Sequence, residues 1–319
     1  MNNAIETPKV GFSGKVLSWE VINADGSIDQ SCYNPSNNVI TDVGLDMIAT
    51  KSNNLIDKAA YFCIGTGTAE PSATDTKLTT ETYRAACAYA SYDATTYSAG
   101  GSDPYYIYVQ RGVQTPLGAL NNTYGEIGFS PTATANANVF SKHRLKDENG
   151  DPTTITVSSA QQLRLKYVLV FCLSPSTVTT GTINISGIGN INYEAKWQYG
   201  EIHFINQMFN GTSFVKPTTD INNYTFTDIG VQNSPYTPYS TYVASATTYG
   251  TYVSGSHERF TTGFWSVDKS NVTWYGVFLD NSSSSYSTYP LFLVKFATPF
   301  VKDNLHSMRF TFKISWGRS

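Results

Sequence analysis

Between Tyr124 and Gly187 almost every segment alternates apolar and polar residues at a spacing of two, and no helix-length periodic run interrupts it. The runs GEIGF, VFSKHRL, TITVS, QLRLKYVLVFC and GTINIS follow one another, separated by clusters of Asn, Asp, Gly, Pro and Ser. A side-chain period of two with turn punctuation is the pattern of half-buried antiparallel strands. A chain built this way must bury one face of each strand against a second layer. The expected fold is therefore all-β, an antiparallel β-sandwich or jelly-roll-like architecture.

The rest of the chain agrees. Gly14–Ile22 and Ser27–Tyr33 flank Asn23-Ala-Asp-Gly26, whose Asp-Gly pair tolerates positive φ and predicts a hairpin. Strands are expected at Ala60–Gly65, Arg84–Ala90, Tyr105–Gln110, Thr123–Phe129, Val139–Leu145, Thr154–Ser158, Gln162–Cys172 and Gly181–Ser186. Further strands are expected at Glu201–Phe209, Phe264–Val267, Val272–Leu279, Leu291–Ala297 and Met308–Trp316. One short helix is expected near residues 41–50, capped by Thr41 or Asp42 and burying Leu45, Ile48 and Ala49. Three regions emerge: 1–195 as a β-rich scaffold with its N-terminal hairpin, 196–290 rich in Tyr, Ser and Thr, and 291–319 as terminal strands returning to the scaffold.

Charged residues make up only 14% of the 319, well under the ~25% of ordinary soluble domains. A net charge of −3 gives no basic field for wrapping nucleic acid. No stretch approaches the ~20 apolar residues that span a bilayer, and the first residues lack the basic and apolar regions of a signal peptide. Low charge with many uncharged hydrogen-bonding side chains suits a chain that works in contact with other subunits. Cys32, Cys63, Cys87 and Cys172 are widely spaced and are expected as free, mostly buried thiols of a protein made in a reducing cytoplasm. His143, His203, His257 and His306 are equally scattered, so no Cys/His metal spacing arises. The N-x-[ST] triplets at Asn121, Asn184, Asn210, Asn223, Asn271 and Asn281 are what chance supplies in a chain rich in Asn, Ser and Thr.

Four elements stand in a fixed order: Asn38-Val-Ile-Thr-Asp-Val-Gly-Leu-Asp46; Ile64-Gly-Thr-Gly-Thr68 with Pro71-Ser-Ala-Thr-Asp-Thr76; Gly125-Glu-Ile-Gly-Phe129 with Val139-Phe-Ser-Lys-His-Arg-Leu145, Ile155-Thr-Val157 and Gln162-Leu-Arg-Leu-Lys-Tyr167; and Phe312-Lys-Ile-Ser-Trp-Gly-Arg318. This series resembles a group of tailed-bacteriophage virion structural proteins, of the tail and tail-fibre type, over roughly residues 35–190 and the last dozen. In that group an N-L-I-T-N-x-G-L helix precedes an I-G-T-G loop, an I-R-E-V-G and L-F-S-R strand pair, and T-I-T-V and Q-x-L-x-V-x-Y strands. This chain departs from the group at Tyr124-Gly-Glu126, and residues 210–290 have no counterpart in it. The resemblance implies a non-enzymatic virion protein of the tail region, synthesised in the bacterial host cytoplasm. It also implies assembly with copies of itself, as a trimer or larger ring, and with other tail or portal-proximal proteins.

No catalytic, cofactor or metal site is expected. Asp147-x-Asn149-x-Asp151 begins like a calcium loop, but Pro152 and Ser158 stand where such a loop needs Gly and Glu, so a polar hairpin turn is the better reading. No G-x-S-x-G is present. Asp103, Glu126, Glu201, Asp220, Asp228 and Asp280 offer carboxylates, but nothing selects a pair for glycoside cleavage, and surface solvation is the default for each. Gly65-Thr-Gly67 lacks the Gly-Lys-Ser/Thr of a phosphate loop. The candidate interaction surface is a set of tyrosines, Tyr236, Tyr239, Tyr242, Tyr249, Tyr252, Tyr286 and Tyr289. These rings would pack between subunits or stack on host surface carbohydrate, in which case the chain is a receptor-binding tail protein. A head decoration or head-fibre role is a further alternative. So is an enzyme that degrades capsule. Direct nucleic-acid contact and membrane insertion are not expected.

Overall fold

The computed structural model describes residues 4–49, 58–87, 105–173, 177–197, 214–218, 246–269, 271, 273–280 and 292–319. The described chain is all-β, almost wholly antiparallel, with one short helix. In order its first elements are β1 (Ala4–Glu6), β2 (Val10–Asn23), β3 (Ile28–Cys32), β4 (Ser36–Ile40), α1 (Asp42–Ile48), β5 (Tyr61–Gly65), β6 (Glu81–Ala86) and β7 (Tyr105–Gln114). Then come β8 (Asn122–Tyr124), β9 (Glu126–Ser130), β10 (Ser141–Arg144), β11 (Ile155–Val157), β12 (Gln161–Leu173), β13 (Thr179–Ile185) and β14 (Gly189–Trp197). The last are β15 (Phe214–Thr218), β16 (Ala246–Tyr249), β17 (Glu258–Trp265), β18 (Thr273–Asp280), β19 (Phe292–Val301) and β20 (Met308–Arg318).

The described residues fall into two compact units. The first runs from Gly11 to Cys172, apart from Tyr105, and includes Gly317–Ser319. The second takes the residues up to Val10, Tyr105, and the described residues from Leu173 to Trp316.

In the first unit the Asn23–Gly26 turn forms as its residues predict. Gly26 takes φ +86°, and the Asp25 carboxylate accepts the Ser27 amide at 2.9 Å. β12 pairs along β2 from Gln161 opposite Asn23 to Cys172 opposite Gly11. β4 links β2 to β10: Ser36–Asn38 pair with β2, while Val39 and Ile40 pair with β10. β10, β9, β5 and β6 then follow in antiparallel order. Across the layers the Phe129 ring of β9 stacks on Tyr167 of β12 at 3.8 Å. Tyr167 is fully buried, and its hydroxyl is held by Asn38 at 3.1 Å and Ser141 at 3.2 Å, as a buried phenol requires.

The segment expected as one strand over Thr123–Phe129 is two. β8 pairs with β11, whereas β9 lies between β5 and β10. The break is Gly125, where a Cβ would sit 2.5 Å from the Gly67 carbonyl oxygen. The alternation continues through Gly125, but the hydrogen-bonding partners change. The helix forms where expected. Thr41 caps it, accepting the Gly44 amide at 2.9 Å and donating from the same hydroxyl to the Val139 carbonyl at 2.7 Å. Thr41→Ala should therefore lose a cap and a buried hydrogen bond, lowering stability by about 1–2 kcal/mol in urea unfolding.

In the second unit β13-β14-β19-β18-β15 form one sheet, and β16, β17, β20 and β1 form another. An aromatic core lies between them. Trp265 meets Trp274 edge-on at 5.0 Å, Trp274 stacks on Phe310 at 5.6 Å, and Phe292 meets Phe312 edge-on at 6.2 Å. The Trp197 indole donates to the Pro8 carbonyl at 2.8 Å. β14 was not expected. Its inward residues Ile191, Tyr193, Ala195 and Trp197 alternate well, but Asn190, Asn192 and Glu194 on the other face are poor strand formers and mask the pattern.

Candidate functional site

The most organised polar site in the described residues grows from Glu126 at the start of β9. Strands β5 and β10 flank it and the loop after β5 covers it, so the Glu126 carboxylate is fully buried. Surface solvation, expected for this residue, is thereby corrected. A buried carboxylate must be hydrogen-bonded and neutralised. Oε1 accepts the Thr80 amide at 2.8 Å, and Oε2 accepts the Thr79 amide at 3.0 Å. The Lys142 ammonium of β10 stands 3.2 Å from Oε2. Burial pushes the carboxyl pKa up, but the two amides and Lys142 outweigh it and hold the group below the usual carboxylate range.

Lys142 is itself buried and reaches two more acceptors, Asp75 Oδ2 at 3.1 Å and Thr79 Oγ1 at 3.1 Å. The three hydrogens of an ammonium thus have three acceptors. Asp75 Oδ2 also accepts the Ser72 amide at 3.0 Å, which closes the small turn of the loop. The glycines of Ile64-Gly-Thr-Gly-Thr68 make room for this arrangement. A Cβ on Gly67 would lie 2.3 Å from Glu126 Oε1, and one on Gly65 would lie 2.3 Å from the Thr80 carbonyl oxygen. Gly67→Ala must displace the carboxylate and should cost about 1–3 kcal/mol, read as a lower urea midpoint with the slope unchanged.

The helix joins the same knot. The Asp42 amide donates to the Ala73 carbonyl at 2.8 Å, and the Val139 amide donates to Thr76 at 2.9 Å. Gly44 lies against the Phe140 carbonyl, which a Cβ would approach to 2.1 Å. From the C-terminus Arg318 donates to the Ile40 carbonyl at 2.6 Å and pairs with Asp42. On β6 Arg84 makes a bidentate pair with Glu81 at 2.8 Å and binds the Thr132 and Ala137 carbonyls at 2.8 and 3.1 Å. Arg144 donates to the carbonyls of Gly125 and Thr153. Each ion in the knot is matched by a counter-ion or by carbonyl oxygens, so the arrangement fixes loops onto strands.

No family model, curated protein or solved structure matches the chain. The knot itself therefore carries the functional reading. All four ordered sequence elements meet in it: the helix at Thr41, Asp42 and Gly44; the loop at Gly65, Gly67 and Asp75; the strand pair at Glu126 and Lys142; and the terminus at Arg318. Sequence reasoning did not pair Asp75 with Lys142 and Glu126. The available signal was the pair Gly65 and Gly67 after a buried strand; the structure adds that β10, Ser-Lys-His-Arg, is wholly buried despite four polar residues.

Among the tyrosines singled out by sequence, Tyr236, Tyr239, Tyr242, Tyr286 and Tyr289 lie outside the described residues. Tyr249 belongs to β16, and Tyr252 stacks on Trp316 at 5.6 Å within the second unit. Asp103, Glu201, Asp220, Asp228 and His203 also lie outside the described residues. Asp147 Oδ1 accepts the amides of Asn149 at 2.9 Å and Asp151 at 3.0 Å, which makes this segment a side-chain-stabilised turn with Gly150 at φ +85°. The four cysteines are free thiols. Cys32 and Cys63 are buried, and Cys87 and Cys172 are half-buried. Burial raises the Cys63 thiol well above its ordinary value and pushes Cys87 up to about 12, so neither is a ready nucleophile.

Proposed function

We propose that this chain is a structural subunit of a tailed-bacteriophage virion, associated with the tail as a ring, collar or fibre component, and that it acts by assembling with copies of itself. The observation that supports this reading most is the convergence of the four ordered motifs on one buried knot. Motifs scattered over nearly three hundred residues of sequence have a shared reason to occur together if they specify one scaffold. The low charge and the abundance of Tyr, Ser, Thr and Asn fit a subunit whose surface is spent on neighbours. The reading involves no catalysis and no cofactor.

The test is direct. Particles produced from the locus carrying this gene are purified, their proteins identified by mass spectrometry, and the particles labelled with an antibody to this chain. Label at the tail is the expected result. Label on the head would move the subunit to a decoration role. Absence of the chain from purified particles would overturn the proposal.

A further inference from the structure

The sheet edges of the described chain differ in how well they are guarded. A strand with one partner exposes a row of backbone donors and acceptors, and proteins blunt such edges with charge, proline, bulges or short length. β6 carries Glu81 and Arg84, β7 carries Arg111, and β3 carries Asp29 beside a bulge in its pairing with β2. β15 is only five residues long and holds a proline, whose backbone has no amide hydrogen to offer. β1, β8 and β11 have three residues each, and β16 has four. β13 has none of these devices. Its seven residues, Thr-Thr-Gly-Thr-Ile-Asn-Ile, hold no charge and no proline. Its register with β14 is unbroken from Thr179 opposite Ala195 to Ile185 opposite Gly189. Among the described residues β14 is its one strand partner.

We infer that β13 pairs with β13 of a second copy of this chain, antiparallel about a two-fold axis at Thr182. The strand is self-complementary there. That register sets Thr182 against Thr182 and Thr180 against Asn184 on the exposed face, and the inward positions set Gly181 against Ile183. The exposed face already carries a ladder of this kind: Thr182 Oγ1 donates to Asn192 Oδ1 at 2.7 Å, and Asn184 Nδ2 donates to Asn190 Oδ1 at 2.7 Å. A second β13 continues that ladder with Thr–Thr and Thr–Asn pairs of the type that stabilise antiparallel strands. With no charge on the strand, a second copy brings no like-charge repulsion, which selects a neutral partner over a charged one. Two seven-residue strands make a small contact, below the size of a standard stable interface, so the pairing works beside other contacts, its two-fold axis joining chains in pairs between two rings of a dihedral assembly while other surfaces close each ring.

This inference rests on the reading of the chain as a self-assembling subunit, and the experiment separates the two. The native mass of the full chain is measured by sedimentation for wild type and for Thr182→Lys, which sets two lysines face to face. Thr182 is exposed, so the variant should keep the wild-type melting temperature. The expected result is an oligomeric wild type and a variant shifted toward the mass of a single chain. Thr182→Cys, mildly oxidised, should form a covalent dimer that wild type, with its own four thiols, does not. An oligomer unchanged by Thr182→Lys, or a Thr182→Cys protein that does not cross-link, overturns the β13 contact and leaves the assembly reading standing. A monomeric wild type overturns both.

Discussion

Glu126→Ala should be the most damaging single substitution in the first unit, with an expected loss of about 3–5 kcal/mol in urea unfolding. The carboxylate neutralises Lys142 and accepts the amides of Thr79 and Thr80, and both ions are buried. Removing it leaves the ammonium with Asp75 as its remaining counter-ion and strips two amides of their acceptor. Breaking a buried pair from one side costs more than the pair contributes, because the remaining charge is left without its partner in a poor solvent. The double variant Glu126→Leu with Lys142→Met removes both charges and should recover much of the loss, leaving the two amides as the residual cost. Amide exchange gives a local readout, since Thr79 and Thr80 should lose protection in Glu126→Ala before the strands do. A loss below about 1 kcal/mol would show that the knot is solvated and that the geometry contributes little.

How much of this was legible follows from what each signal encodes. Period-two alternation records which face of a strand is buried, and it located most strands, the hairpin at Asp25-Gly26 and the class of the fold. The helix was legible because capping is local: Thr41 and Gly44 lie within one turn of each other. Alternation does not record a strand's neighbours. Thr123–Phe129 looks continuous in sequence, yet Gly125 passes the chain from β11 to β5 and β10. The knot was harder still. Glu126, Lys142 and Asp75 are far apart in sequence, and each alone reads as a solvated charge. Only the glycines hinted otherwise, since Gly65 and Gly67 follow a buried strand with no turn type demanding both; their reason is the carboxylate that fills the space a Cβ would take. The self-complementarity of β13 was written in Thr-Thr-Gly-Thr-Ile-Asn-Ile, but it carried meaning only once the topology made that strand an edge among the described residues.

Acid should weaken the first unit through His143 over a window set by that residue alone. The imidazole is buried on β10, with Nδ1 3.1 Å from the Asn37 carbonyl and Nε2 3.1 Å from the Ser36 hydroxyl. Nδ1 must carry the hydrogen it gives to the carbonyl, so a neutral ring satisfies both neighbours, with Nε2 accepting from Ser36. Burial disfavours the imidazolium, and the positive charges of Lys146 and Arg144 add to that; the Asn37 carbonyl opposes them but does not prevail. The folded pKa is lowered to about 4, against about 6.5 in the unfolded chain. Above pH ~6.5 neither state binds the proton and the full stability is present. As pH falls below that value the unfolded chain takes up a proton that the folded chain refuses, so stability declines by about 1.4 kcal/mol per pH unit, a total of about 3 kcal/mol by pH ~4. Glu126 acts in a lower window: its depressed pKa gives stability that is lost only below the ordinary carboxylate range. His143→Gln removes the titrating ring, and urea unfolding between pH 7 and pH 4 should then show a flatter slope than wild type. Equal slopes in the two proteins would mean that the folded state takes up the proton at His143 as readily as the unfolded chain does.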